Sequence, residues 1–270
     1  MLRQLAIATV VALLVVACAT SPTGRRQLQL FPAGQMQAMG VAAFKEMKDE
    51  KPVLDNKAVT GYVRCVADAI TAVVPQRYQP DGDWEVRVFD LDSANAFALP
   101  GGKIGVHRGL LEVAKSPDQL AAVIGHEVGH VMADHSNERM SQQFAVGTGL
   151  AVAGIIAGNG DGDRQQALAL LGLGAEVGVL LPFSRLHESE ADTIGLELMA
   201  RAGFDPRESV ALWENMEAES KGAQPPEFLS THPSHGSRID GLQSDMPRAM
   251  SLYRQAQESG RRPGCKRVTP

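Results

Sequence analysis

Hydrophobic and polar positions change character several times along the chain. Residues Leu5–Val16 form an apolar run behind one positive residue, Arg3, and a stretch rich in Ser, Pro, Thr, Gly, Arg and Gln follows to about Gln35. That stretch has no hydrophobic period and predicts a flexible tether. Helical spacing begins at Met36–Lys48 and continues in Asn56–Val73, where Val59, Tyr62, Val63, Val66 and Ile70 fall on one face. After a break at Pro75–Asp83, "WEVRVFDL" alternates as a strand. "NAFALP" and "GKIGVHRG" read as two further strands joined by a tight turn at Pro100, Gly101 and Gly102. The chain turns helical again from Leu110. In "SPDQLAAVIGHEVGHVMADHS", Ser116 suits an N-cap, Pro117 the first helical position and Asp118 the first turn. Between residues 144 and 184 lie two apolar, glycine-rich runs separated by "GNGDGD". Each is about fifteen residues, short of the roughly twenty that a membrane span needs. They predict a buried helical hairpin, with a lid or a membrane-dipping segment as the alternative. The whole pattern predicts an α+β, mainly helical domain over residues 36–270, with a small antiparallel sheet beside the histidine-bearing helix.

Composition narrows the setting. A chain of 270 residues with 44% hydrophobic and 21% charged positions can bury a real core. Its net charge of -5 and pI near 5.8 argue against a surface for gripping nucleic acid. Residues 1–17 have the layout of a secretory signal: positive start, apolar centre, small residues at the end. "VVAC" resembles the bacterial lipobox, which makes Cys18 the lipidated first residue of a mature lipoprotein, with residues 18–35 as its tether. An ordinary signal with a chance cysteine is the alternative. Ala19 follows Cys18 where an aspartate would mark the inner membrane, so the resemblance to Gram-negative sorting signals points to the outer membrane facing the periplasm. Cys65 and Cys265 remain as an even pair in an oxidising compartment. A disulfide between them would tie the tail to an early helix; two unconnected thiols are the other possibility.

The chemistry concentrates on two helical segments. In "HEVGH", His126 and His130 differ by about 400 degrees of rotation, so they leave one helix face a turn apart and can bind one metal ion. Glu127 stands beside them as a general base. A catalytic site needs a third protein ligand. A metzincin would have glycine at position 133 and histidine at 136, and this chain has Ala133 and Ser136, with His135 one place off. Downstream, "SRLHESEAD" offers Glu188 and Asp192 at i and i+4. Glu188 suits a ligand, and Asp192 suits an acceptor that orients a ligand histidine. Glu190 leaves the helix in another direction and reads as surface.

These motifs, "HEVGH", "SRLHESEAD" and "THPSHGSRI" in that order, resemble the HtpX and CAAX prenyl protease family of zinc metallopeptidases, family forty-eight, in its soluble bacterial lipoprotein branch. The likeness covers about Met36 to Asp245 and includes "NAFALPGG". It implies a zincin-like fold and one Zn2+ per chain held by His126, His130 and Glu188. By the same likeness Glu127 is the base and Asp192 steadies a ligand histidine. It draws His232 in as well, either as an oxyanion donor or as an occupant of the open zinc position. Arg238 would fix that loop through carboxylates or assist the same charge. A peptide substrate would pair with the strand Asn95–Leu99, touching Asn95, Ala96 and Phe97. The implied activity is a membrane-anchored metalloendopeptidase for misfolded or damaged envelope proteins. A non-proteolytic, zinc-stabilised chaperone or binding lipoprotein is the alternative, and the presence of Glu127 favours catalysis. No role follows from the sequence for His107, His135, His187 or His235.

Overall fold

The computed structural model describes residues 18–156, 184–220, 227–232 and 236–270. The expected signal segment 1–17 and most of the expected apolar hairpin lie outside those residues. A two-stranded antiparallel hairpin comes first, β1 (Cys18–Thr20) with β2 (Arg26–Leu28). Helices α1 (Ala33–Glu50) and α2 (Lys57–Thr71) follow, and then strands β3 (Glu85–Phe89), β4 (Ala96–Leu99) and β5 (Lys103–His107). Among the described residues that follow, the helices are α3 (Leu110–Val113), α4 (Pro117–Met132), α5 (His135–Ile156), α6 (Arg185–Ala202), α7 (Glu208–Ser220), α8 (Phe228–Thr231) and α9 (Gly236–Glu258).

Local chemistry sets the ends of the helices that matter. Asn56 caps α2 by accepting from the backbone N–H of Ala58 and Val59, and Ser116 caps α4 by accepting from Gln119. Ser184 caps α6 through the N–H of His187, and Gly203, in the left-handed region at φ 92°, closes its far end. The predicted face of α2 is buried as expected, with Val59, Val63, Val66 and Ile70 fully enclosed. Around α4 burial is nearly complete, from Gln119 through His130. A helix buried on all sides should be apolar all round. The polar His126, Glu127 and His130 therefore sit in the core of the molecule and need partners there.

The sheet orders its strands β3-β5-β4. The expected antiparallel pairing holds for β4 and β5, while β3 runs parallel to β5, so the sheet is mixed. Gly105 in the central strand faces Phe97 on β4, and a Cβ there would stand 2.2 Å from the ring. The missing side chain lets Phe97 lie flat against the sheet and join Phe44 and Phe89 in a small aromatic cluster. β4 is thereby left at the edge of the sheet, against α4.

One expectation is corrected at the N-terminus. Residues 18–35 are not a free tether: Ser21 and Gln27 are buried, and the segment is bonded along the start of α5. The Leu30 N–H donates to the Ser141 hydroxyl at 2.8 Å, and Asn137 Nδ2 donates to the Phe31 carbonyl at 2.8 Å. Gln27 Nε2 donates to the carbonyl of Ala133, at the C-terminal end of α4. Polar composition looked like solvation, yet here the polar side chains are the docking contacts.

Cys65 on α2 and Cys265 in the tail form a disulfide across a sequence separation of 200. Closing so long a loop restricts the unfolded chain strongly. Replacing Cys65 by serine should lower the unfolding free energy by about 2–5 kcal/mol. Urea denaturation of wild type with and without reductant should show a matching loss; coincident curves would mean that the bond does not form.

Candidate metal centre and cleft

α4 and α6 meet backbone to backbone. Gly125 and Gly129 on α4 face Gly195 and Ala191 on α6: a Cβ on Gly125 would lie 2.9 Å from the Gly195 carbonyl oxygen, and one on Gly129 equally near that of Ala191. A Cβ on Gly195 would fall 2.6 Å from the amide nitrogen of His126. Only glycine fits at that contact. Glu188, Ala191, Asp192 and Gly195 share the α6 face that turns toward α4, which carries the two carboxylates across to the histidines.

The result is a buried cluster of His126, His130, Glu188 and His232, whose donor atoms all lie within 4.8 Å of one another. His126 Nε2 is 3.0 Å from His130 Nε2 and 3.3 Å from His232 Nδ1. Glu188 places its oxygens 3.4 Å from His126 Nε2, 3.5 Å from His130 Nε2 and 3.0 Å from His232 Nδ1. A tetrahedral ion with bonds of about 2.0–2.1 Å needs donors about 3.3 Å apart. These separations match that edge, and three imidazoles with one carboxylate are ligands for a first-row divalent ion. The residues present fit a metal.

Each donor is held from behind. His126 Nδ1 donates to Asp192 Oδ1 at 2.9 Å, which leaves Nε2 free to face the cluster. Arg238 donates to both oxygens of Asp192, at 2.6 and 2.7 Å, and through Nη1 to Glu188 at 2.6 Å. Its guanidinium lies over the Trp213 ring at 3.8 Å. Burial pulls the His126 imidazole down, but Asp192 and Glu188 outweigh it and hold the group at about 9. Burial also pushes the Glu188 carboxyl up, and the surrounding histidines overcome it and keep the group well below the usual carboxylate range. Burial drives the His130 imidazole well below its ordinary value.

Glu127 does not join the donors. It faces a cleft of 380 Å³ bounded by β4, α8 and the start of α5. The Ala98 N–H of β4 donates to it, while its Oε1 makes no hydrogen bond among the described residues and lies 3.5 Å from His232 Nε2. Burial pushes this carboxyl up, against the pull of His232 and His126. Asn95, Ala96 and Phe97 line the same cleft. Asn95 donates through Nδ2 to Glu227 at 3.1 Å, and its buried Oδ1 is without a hydrogen-bond partner among the described residues. His232 follows α8, where the Phe228 ring stacks on it at 4.4 Å.

Three expectations change. Glu190 is no surface residue: it is buried and accepts from His135 Nε2 at 3.1 Å and from Arg25 Nε at 2.8 Å. His135, set aside in the sequence because it missed the metzincin register, is fully buried, with Nδ1 2.8 Å from Nδ1 of His130. His187 stacks on His135 at 4.4 Å and bonds Glu138 at 3.1 Å. The signal that could have found them is the density of His and Glu at 135 and 138, shortly after "HEVGH", and at 187 and 190, within "SRLHESEAD". His107 bonds Ser93 at the rim of the cleft, and His235 lies outside the described residues.

The profile of peptidase family M48 matches residues 58–245, more than half of the chain. The chain belongs to peptidase family M48. It is 39% identical over 215 residues to the mitochondrial metalloendopeptidase OMA1 of Schizosaccharomyces pombe, covering 78% of this chain and 61% of that protein. The human metalloendopeptidase OMA1, mitochondrial, is 36% identical over 63% of this chain and 34% of its own length. The beta-barrel assembly-enhancing protease of Yersinia pestis is 29% identical over 76% of this chain and 42% of its own. The chain therefore spans between about a third and three fifths of the length of these relatives.

The glycine contact yields a direct test of the M48 centre. Gly195→Ala should force α4 and α6 apart, costing about 1–3 kcal/mol of stability and weakening metal binding about tenfold or more. Thermal melting and chelator competition read the two effects. Wild-type values for both would show that the backbones are not in contact.

Proposed function

We propose that this M48 chain is a zinc-dependent metalloendopeptidase, anchored through a lipidated Cys18, that cleaves misfolded or damaged proteins of the bacterial envelope. The observation that carries the reading is the pairing of a buried three-histidine, one-carboxylate cluster with Glu127, whose Oε1 has no hydrogen-bond partner among the described residues, in a cleft bordered by an edge strand. The relatives, metalloendopeptidases and a beta-barrel assembly-enhancing protease, support the activity. Among the described residues no helix is long and apolar enough to cross a membrane.

His126, His130 and Glu188 would hold the zinc. Bound there, zinc supplies Lewis-acid polarisation of a peptide carbonyl and makes water more acidic. The remaining work falls to the protein. An extended peptide pairs its main chain with β4, a mode that selects backbone shape over side-chain identity and suits unfolded substrates. Asn95 Oδ1 accepts from a substrate N–H, since it is buried and otherwise unmet. Glu127 takes the proton from the attacking water and returns it to the leaving amine, and its raised affinity for protons suits both halves of that transfer. Arg238 neutralises Glu188 and Asp192 throughout, so neither ligand carboxylate nor orienting carboxylate needs to move.

His232 stands where the reaction needs room. Its Nδ1 is within the ligand cluster, against Glu188 and His126, so in this conformation it fills the corner that substrate and water would use. We read it as a plug held by α8. Displacement of the short segment around His232 then opens the site, and the same ring, moved off, can donate to the oxyanion.

Two substitutions separate these roles. Glu127→Ala should retain metal yet lose casein cleavage by about 10²–10⁴-fold; metal-loaded wild type without any cleavage would instead favour the binding lipoprotein. His232→Ala should raise basal cleavage if the ring is mainly a plug. A fall of about 10²-fold or more would make it an oxyanion donor first and overturn the plug.

A further inference from the structure

The two ligand histidines on α4 are oriented by different means. His126 leans on Asp192, whereas Nδ1 of His130 faces another ring nitrogen, Nδ1 of His135, at 2.8 Å. Two ring nitrogens can bond only when one carries a hydrogen and the other does not. Nε2 of His130 points into the ligand cluster and must be bare to accept a metal, so its proton is on Nδ1 and is donated to a bare Nδ1 of His135. His135 then keeps its own proton on Nε2 and donates it to Glu190 at 3.1 Å. Glu190 is thereby required as an anion.

That anion is met from the N-terminal hairpin. The Thr23 hydroxyl donates to Glu190 Oε1, and Arg25 Nε donates to Oε2 at 2.8 Å. The other end of the Arg25 fork donates to Glu138 at 2.7 and 2.6 Å. Glu138 also accepts from Gln27 at 3.1 Å. One requirement at His130 Nε2 thus sets every donor and acceptor from the ligand to the hairpin.

We propose that the hairpin of residues Cys18–Leu28 is a working part of the metal centre: Arg25 and Thr23 fix Glu190, Glu190 fixes His135, and His135 orients the ligand His130. The inference rests on the reading of His130 as a metal ligand. Arg25 acts as a positioning residue, three hydrogen bonds removed from His130. Lifting the hairpin from its seat takes the Thr23 and Arg25 donors away from Glu190, and the proton on His135 loses its fixed direction. The segment next to the expected lipid is therefore coupled to the loading of the site.

The test uses the full chain in detergent, stripped of metal and titrated with Zn2+ against a chelator and with Co2+ by visible absorption. Arg25→Ala, Glu190→Gln and His135→Gln should each weaken Zn2+ binding about 10–100-fold and alter the Co2+ spectrum. The double variant of Arg25→Ala with Glu190→Gln should be no worse than the weaker single one, because both break one chain of bonds. Arg25→Lys, which keeps the charge without the fork, should fall between. Wild-type affinity and spectrum in folded Arg25→Ala and Glu190→Gln would overturn the proposal. If Arg25→Ala does not fold, Glu190→Gln decides by the same two outcomes, since it leaves the Arg25 fork on Glu138. A wild-type chain that binds neither ion would instead remove the metal reading on which this one stands.

Discussion

The approach of α4 to α6 is the constraint on which the centre depends. Packed helices ordinarily keep their axes 8–10 Å apart because side chains stand between them. A glutamate at the start of one helix cannot then reach two histidines on the other at 3.4 and 3.5 Å while its neighbour one turn along also reaches Nδ1 of the first. Gly125, Gly129 and Gly195 remove the obstruction on both sides, with Ala191 as the next smallest residue. The glycine at 129 lies inside "HEVGH" itself, so the motif carries the packing solution together with the donors. Glycine in a helix costs about 1 kcal/mol relative to alanine. Here the loss is offset by the contact it permits, which nothing larger could make.

That closeness creates an electrostatic problem. Glu127, Glu188, Glu190 and Asp192 are all buried within a short span of two helices. Unpaired, such charges would be far more costly than any packing gain. Two arginines resolve it from opposite ends of the chain. Arg238, from α9, forks onto Glu188 and Asp192, and Arg25, from the hairpin, forks onto Glu190 and Glu138. The α6 carboxylates alternate between them: positions 188 and 192 face one arginine and position 190 the other. The spacing that put Glu190 on a different helix face was read correctly, but the conclusion that this face meets solvent was not, because a second element covers it.

What the sequence revealed follows from how local its signals are. The helix cap at Ser116, the apolar face of α2, the turn at Pro100–Gly102 and the shared face of His126 and His130 on α4 depend on neighbours a few residues away, and they appear as expected. Bringing Glu188 to His126 was suggested by likeness among motifs, and the geometry shows the glycines that make it possible. The docking of residues 18–31 left no periodic trace. It depends on side-chain hydrogen bonds to residues more than a hundred positions away, such as Arg25 to Glu138 and Gln27 to Ala133. His135 was hidden for a related reason: it was judged by its register to another family's motif, whereas its role depends on Glu190, 55 residues downstream.

The two ends of the chain meet the same helix pair for a physical reason. On one face of a helix, histidines at i and i+4 can turn both Nε2 atoms inward only by sending their Nδ1 atoms in different directions. Here one goes toward α6 and Asp192, the other toward the start of α5 and His135. Each Nδ1 then needs its own acceptor, and each acceptor, being buried, needs its own cation. For His126 the acceptor is itself a carboxylate and the cation follows at once. For His130 the turn at Asp134, in the left-handed region at φ 50°, brings His135 back against its own helix and inserts a ring between ligand and carboxylate. The longer relay ends at Glu190, where the hairpin provides the cation through Arg25. An N-terminal segment with Thr23, Arg25 and Gln27 is thus a consequence of presenting two histidines to one ion inside a buried helix.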